Sequence, residues 1–223
     1  MEKENLSVKN ASTKDYINAS KRLETVMQSR VMDYFDYLNL TNNTTTEYIR
    51  YALINKLSIT LHGIMSADLL DEITDIVEIY STLIDEEKST LYIEKLINSH
   101  EELVEEFERF LQAKINYIKT NHRSNSNDGA FSYITNNYIE YLRENYANAN
   151  YRIDYSKDLS ENELDNYNNA LKDVRTLLVK KYQDYCASHN DYNVLDNPYK
   201  DALRSLDGII GLPKKDDNLI KKL

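Results

Sequence analysis

The sequence predicts an all-α protein: a multi-helix antiparallel bundle of seven to eight helices, with a flexible N-terminal arm and a C-terminal tail. Three observations carry this. Only four Gly and two Pro occur in 223 residues, too little punctuation for the many turns of a β fold. Apolar residues recur at spacings of three and four over long stretches. Ser/Thr-x-x-Glu capping boxes stand where several of those stretches begin.

Residues 1–11 show no period and are expected as a mobile arm, ahead of a helical domain over 12–208 and a tail over 209–223. The first helix is predicted over 13–38, with Leu23, Met27, Val31, Tyr34 and Leu38 as its buried stripe. A polar break follows at 39–45. Thr44-x-x-Glu47 reads as a capping box for a second helix carrying Ile49, Leu53, Leu57 and Leu61, which ends near Gly63.

The strongest signal spans residues 66–120. Ser66 is the expected N-cap of a helix with Leu69, Ile73, Ile76, Tyr80 and Leu83 on one face and Leu70, Val77 and Ile84 beside them. Asp85-Glu86-Glu87 marks a break or a kink. A shorter helix with Leu91, Ile93, Leu96 and Ile97 is expected next. Ser99-x-x-Glu102 then reads as a second capping box, opening a helix to about Lys119. Between Ser66 and Leu111 there are 14 acidic residues against three basic ones, so this stretch accounts for the whole formal charge of −10.

Residues 120–129 form a polar loop ending in Asp-Gly, offered as a sub-boundary within the helical domain. A helix over 130–147 follows, with Phe131, Ile134, Tyr138, Tyr141 and Leu142. Residues 148–159 read as irregular; Ile153 and Tyr155 suit a short extended piece, but the sequence offers it no partner strand. Ser160-x-x-Glu163 is the cleanest capping box and opens a helix through Leu164, Tyr167, Leu171, Val174, Leu178 and Tyr182. Pro198 after Asn197 starts a last short helix with Ala202, Leu203 and Leu206, stopping at Gly208.

Composition excludes several classes of function. The lone Cys186 excludes an internal disulfide and a multi-cysteine zinc site, and reads as a helix residue near the core. No run of about twenty apolar residues occurs, so no membrane span is expected. The polar N-terminus lacks an apolar signal core, which gives a cytoplasmic expectation, or a virion one for a phage product. The four glycines form no phosphate loop, and Gly-x-Ser-x-Gly is absent. His62, His100, His122 and His189 are scattered, with no His-Glu-x-x-His, and are expected at solvent or cap positions. The acidic middle would repel phosphate, so direct nucleic-acid binding is not expected.

Two acid pairs, Glu72/Asp75 and Glu102/Glu105, each stand one helical turn apart. Such pairs can hold Mg²⁺. All-helical nucleoside triphosphate pyrophosphohydrolases use paired Glu-x-x-Glu/Asp elements, and the analogy implies a metal-dependent nucleotide hydrolase as an alternative reading. Solvated faces of acidic helices account for the same pairs, so no catalytic residue, metal or cofactor is assigned. Tyr133, Tyr138, Tyr141, Tyr146, Tyr151 and Tyr155 crowd one region, as interface tyrosines do; A/T-rich codon usage accounts for the same abundance. The expected role is a non-enzymatic interaction or assembly protein that meets a protein partner or its own copies. A phage portal–tail connector ring subunit is a concrete form of it. An acidic inhibitor or DNA mimic acting on a host nucleic-acid enzyme is a further alternative. The expected contact residues are in the tail: Ile209, Ile210 and Leu212, followed by Lys214 and Lys215.

Overall fold

The computed structural model describes residues 2–63, 67–121, 128–189 and 198–210. Among them are α1 (Glu2–Ser29), α2 (Tyr34–Tyr37), β1 (Asn43–Thr45), α3 (Thr46–Leu61), α4 (Ala67–Leu83), α5 (Glu86–Asn121), α6 (Asp128–Leu142), a π-helical turn (Arg143–Ala147), β2 (Arg152–Asp154), α7 (Glu161–His189) and α8 (Pro198–Ile209). The fold is all-α, as the apolar spacing predicts. The chain forms two compact units: Met1–Asp33 with Leu91–Asn150, and Tyr34–Thr90 with Tyr151–Leu223. The division runs through α5, between Thr90 and Leu91. The predicted loop over 120–129 belongs to the first unit, and 122–127 lie outside the described residues.

The second unit is a four-helix arrangement. α3 packs on α4 and α7, and α8 packs on α4 and α7. Ile49, Leu53, Leu57 and Leu61 of α3 have no exposed surface. Leu70, Ile73, Ile76, Tyr80 and Leu83 of α4 are buried, as are Tyr167, Leu171, Val174 and Leu178 of α7 and Ala202, Leu203 and Leu206 of α8. The three–four spacing read from the sequence is therefore the core register here, with exceptions at Leu69 and Ile84, which are half-buried, and at Leu164, which is exposed. Polar ties fix the helix pairs. Arg175 donates to both carboxylate oxygens of Asp207, at 2.5 and 3.2 Å, joining α7 to α8. Lys181 donates to the Gly63 carbonyl at 2.8 Å, satisfying a backbone group just past α3.

In the first unit α1, the Leu91–Asn121 part of α5 and α6 meet through aromatic rings. Tyr16 lies 5.7 Å from Phe110 and 5.2 Å from Tyr117, and Phe107 lies 5.5 Å from Tyr138, ring centre to ring centre. Rings of this size hold backbones further apart than aliphatic side chains do.

Several local readings are corrected. The segment 2–11, in which the sequence shows no period, has helical backbone. α1 stops at Ser29 instead of running to Leu38. The Val31 N–H is taken by Ser99 Oγ at 3.1 Å and the Met32 carbonyl by Tyr92 Oη at 2.8 Å, so these groups leave the helical ladder. Ser99 is consequently an acceptor in mid-helix and caps nothing: α5 is continuous from Glu86 to Asn121. Its start is capped by Asp85, which accepts from the Lys88 N–H at 3.0 Å. Met27, Leu91, Tyr138 and Tyr141, placed on buried stripes by the spacing, are exposed; Val26, Tyr92 and Ile139 are the buried neighbours. The N-cap of α3 is Thr45, one residue after the expected Thr44. The Ser160–Glu163 box holds: Glu163 accepts from the Ser160 N–H at 2.9 Å. α8 passes through Gly208 to Ile209. Ser66 and the surroundings of Cys186 lie outside the described residues and side chains.

His100 is buried, not at a solvent or cap position. It has no exposed surface, and its ring meets Tyr146 edge-on at 5.3 Å. Burial pushes its pKa below the usual histidine value; Asp33 and the Tyr146 backbone work the other way, and Arg30 adds to the lowering. The unfolded chain therefore binds this proton more readily than the folded one. Stability is expected to be full above about pH 6.5 and to fall as the pH drops below it. Thermal melts from about pH 7.5 to about pH 5.5 check this, and a His100→Gln chain is expected to show a shallower decline. A second prediction concerns the helical core. Ile76→Asp places a charge at a site with no exposed surface and is expected to unfold the chain, read as loss of helical circular dichroism.

Candidate functional site

The second unit contains the one short sheet among the described residues, and a cleft is built around it. β1 and β2 pair in parallel, with Asn43 opposite Arg152, Thr44 opposite Ile153 and Thr45 opposite Asp154. The extended piece at Ile153 thus has a partner strand, contrary to the sequence reading. That partner is the polar break before α3. Its residues, Asn43-Thr44-Thr45, carry no apolar alternation that would announce a strand.

Side chains alternate across the pair. Thr44 and Ile153 are buried. Asn43, Thr45, Arg152 and Asp154, on the other face, line a cleft of about 1040 Å³. The rest of its lining comes from residues 38–41, from Thr44, from α3 (Tyr48, Tyr51, Ala52, Ile54, Asn55 and Ser58) and from Lys157.

Each boundary is fixed by identifiable bonds. α2 ends in a Schellman turn: the Leu40 N–H reaches the Phe35 carbonyl at 2.7 Å and the Asn39 N–H reaches Asp36 at 3.0 Å. Asn39 takes the left-handed conformation this turn needs (φ 56°), which Asn tolerates better than most residues. The 151–158 segment is pinned at alternate positions. Tyr151 is buried against Phe35, with ring centres 5.0 Å apart. Tyr155 donates to the Leu83 carbonyl at 2.8 Å and also meets the Ser89 hydroxyl. The Lys157 carbonyl accepts from Thr46 Oγ1. Asp158 takes a bidentate pair from Arg50, at 2.9 and 3.2 Å.

Arg50 is the centre of a network that runs from the exposed Asp158 to the buried Tyr80 and Tyr167. Its third contact is a 3.0 Å bond to Tyr80 Oη, and its guanidinium lies over the Tyr167 ring at 5.4 Å. Tyr167 Oη donates to Tyr80 Oη at 3.0 Å. Burial opposes the guanidinium charge, but Asp158 and the two tyrosines outweigh it and hold the pKa above the usual arginine value. Both phenols are raised, by burial first. The network is charged arginine with neutral tyrosines at any ordinary pH. It has no group poised to exchange a proton near neutrality, so its role is to hold α3, α4, α7 and the 155–158 turn together.

The sequence-predicted site residues are not brought together. Glu72 and Asp75 lie in the second unit, Glu102 and Glu105 in the first. Glu72 accepts from Thr60 Oγ1 at 3.2 Å and from Tyr37, whose pKa is pushed up to about 12 by burial and by the Glu72 and Asp75 charges. Glu105 pairs with Arg109 at 3.1 Å, and Glu102 is exposed. Among the described residues no three His, Cys, Asp or Glu side chains are grouped to hold a metal ion. The tyrosine cluster divides as well. Tyr133, Tyr138 and Tyr141 are exposed in the first unit, while Tyr151 and Tyr155 are internal props of the second. Ile209 and Ile210 are partly exposed at the end of α8; Leu212, Lys214 and Lys215 lie outside the described residues.

Tyr48, Tyr51, Arg152 and Lys157 were not singled out by the sequence. The signal that finds the tyrosines is their place on α3, off the Ile49–Leu53–Leu57–Leu61 stripe. For Arg152 it is the alternation Tyr151, Ile153, Tyr155.

Arg50→Ala is expected to cost about 2 kcal/mol. Roughly 1 kcal/mol comes from the lost bond to Tyr80, and about 1 kcal/mol at most from an ion pair whose Asp158 side is half exposed. Arg50→Lys keeps the charge without the fork and should fall between the two. Urea unfolding of the three chains measures this. Among the described residues no helix is long and apolar enough to cross a membrane. No family model, no curated protein and no solved structure matches this chain.

Proposed function

We propose that this chain is a non-enzymatic helical interaction protein that engages another polypeptide through the cleft beside α3. The observation that carries this is the unequal use of α3. One face is wholly buried in the core, whereas Tyr48, Tyr51 and Ile59 on the rest of the helix are 61%, 46% and 63% exposed. Large apolar side chains exposed together on one element mark contact surfaces more often than solvent faces.

The chemistry of the cleft supports a polypeptide occupant. Tyrosine offers rigid, amphipathic contact area at low entropic cost, and Asn, Ser and Thr offer adaptable hydrogen bonding; that mixture characterises wet protein-binding surfaces. At about 1040 Å³ the cleft stands at the upper end of what small ligands fill. The assembly form of this reading, a ring subunit between portal and tail, rests on the sequence features alone.

A photoreactive phenylalanine analogue in place of Tyr51 tests the proposal, in cells that naturally encode the chain. A specific adduct is expected at position 51 and none from the same analogue at Tyr133, a more exposed tyrosine of the other unit. Adducts at 133 but not at 51 would move the contact away from the cleft. Pyrophosphate release from nucleotides with Mn²⁺, abolished by Glu102→Gln or Glu105→Gln, would replace the proposal with the hydrolase alternative.

A further inference from the structure

We infer that the occupant of the cleft is a second copy of this chain, presenting the carboxylate stripe of its α4. The inference rests on the reading of the cleft as a contact surface and gives that surface a partner.

The argument is charge complementarity within one sequence. The chain carries a formal charge of −10, yet the cleft exposes two cations, Arg152 and Lys157. Of the carboxylates nearest in sequence, Asp158 is taken by Arg50, and Asp154 is engaged by its own turn: one oxygen accepts from the Ser156 N–H at 3.0 Å and from the Ser156 hydroxyl at 2.6 Å. Those bonds, first the hydroxyl and then the N–H, hold the Asp154 carboxyl below its usual pKa, with smaller contributions from the charges of Lys157 and Arg152, neither of which is within ion-pairing distance of it. Arg152 and Lys157 keep donors for an outside carboxylate, and the arginine fork suits one in bidentate geometry.

α4 supplies such carboxylates. Asp68, Asp71, Asp75 and Glu78 are exposed and spaced by three and four residues, forming one stripe about 15 Å long. Among the described residues no Lys or Arg lies within ion-pairing distance of any of the four. On α5, by comparison, three of the carboxylates are taken: Glu105 and Glu106 pair with Arg109, and Glu108 pairs with Arg143. Like charges at such spacing repel along a helix, so a cationic surface laid on the stripe relieves repulsion as well as adding attraction. Tyr48 and Tyr51 add apolar contact area beside the cations. Stripe and cleft are different surfaces, so the contact closes either as a reciprocal two-fold dimer or as a head-to-tail ring.

Sedimentation velocity on the full chain at low and high salt tests this, with two charge-reversed variants, Arg152→Glu/Lys157→Glu and Asp71→Lys/Asp75→Lys. The wild type should associate at low salt and at least ten-fold more weakly at high salt. Each variant alone should be monomeric: the first sets a negative cleft against a negative stripe, and the second leaves the stripe with no net charge and two central lysines facing the cations of the cleft. An equimolar mixture of the two should associate again. All four changes are at exposed positions, and melting curves confirm that the variants fold. A wild type that stays monomeric at high concentration and low salt overturns the inference. So does association that persists in either variant, or a mixture that stays monomeric. A monomeric wild type whose position 51 still crosslinks to a different protein removes the self-contact and leaves the cleft as an interaction site.

Discussion

Arg50 is the constraint on which the second unit depends. A guanidinium with only 18% of its side chain exposed must find partners for its fork, and it finds them on three other parts of the chain. Asp158 takes two donors, Tyr80 takes a third, and the Tyr167 ring covers the face. The apolar stripes alone allow neighbouring helices to slide by a turn at modest cost. A bidentate ion pair tied to a hydroxyl has one geometry, so it sets the register of α3 against α4 and α7.

The cleft is a by-product of that register. Because Asp158 is held on α3, the chain before it must run beside the start of the helix. Tyr151, Ile153 and Tyr155 bury or bond inward, and the intervening Arg152 and Asp154 fall on the other face by the alternation of an extended chain. Three residue pairs would be a marginal sheet by themselves. Here the ends are tied by the Thr45 cap, by the bond from Thr46 to the Lys157 carbonyl, and by the Arg152 N–H on the Asn42 carbonyl at 2.7 Å. The side chains lining the cleft are thus carried on backbone fixed from behind, the support that the proposed contact surface requires.

The first unit is organised by a different principle. Its helices meet through tyrosine and phenylalanine rings, and two of its polar placements are made by single side chains: Ser99 on the Val31 N–H, and His100 against Tyr146. A fully buried histidine with a depressed pKa ties this unit's stability to pH, whereas the Arg50 network, with every pKa displaced away from neutrality, adds no titration near neutrality to the second unit.

By itself the sequence determined the fold class and the core register of the second unit. Ile49 to Leu61, Leu70 to Leu83 and Tyr167 to Leu178 are buried at the spacing they display, because helical periodicity is a local property that burial amplifies. It also determined the starts of α7 and α8, since the Ser160–Glu163 box and Pro198 act within one turn. The tertiary structure decided the rest. The end of α1 at Ser29 has no Gly or Pro to announce it; it depends on Ser99 and Tyr92, more than fifty residues away. The pairing of a polar Asn-Thr-Thr with Arg-Ile-Asp is likewise a contact across more than a hundred residues. Which tyrosines are props and which are exposed followed from those contacts. Local periodicity records which face of a helix is apolar. It does not record which distant donor or acceptor will satisfy a backbone group, and here those distant bonds shaped the cleft.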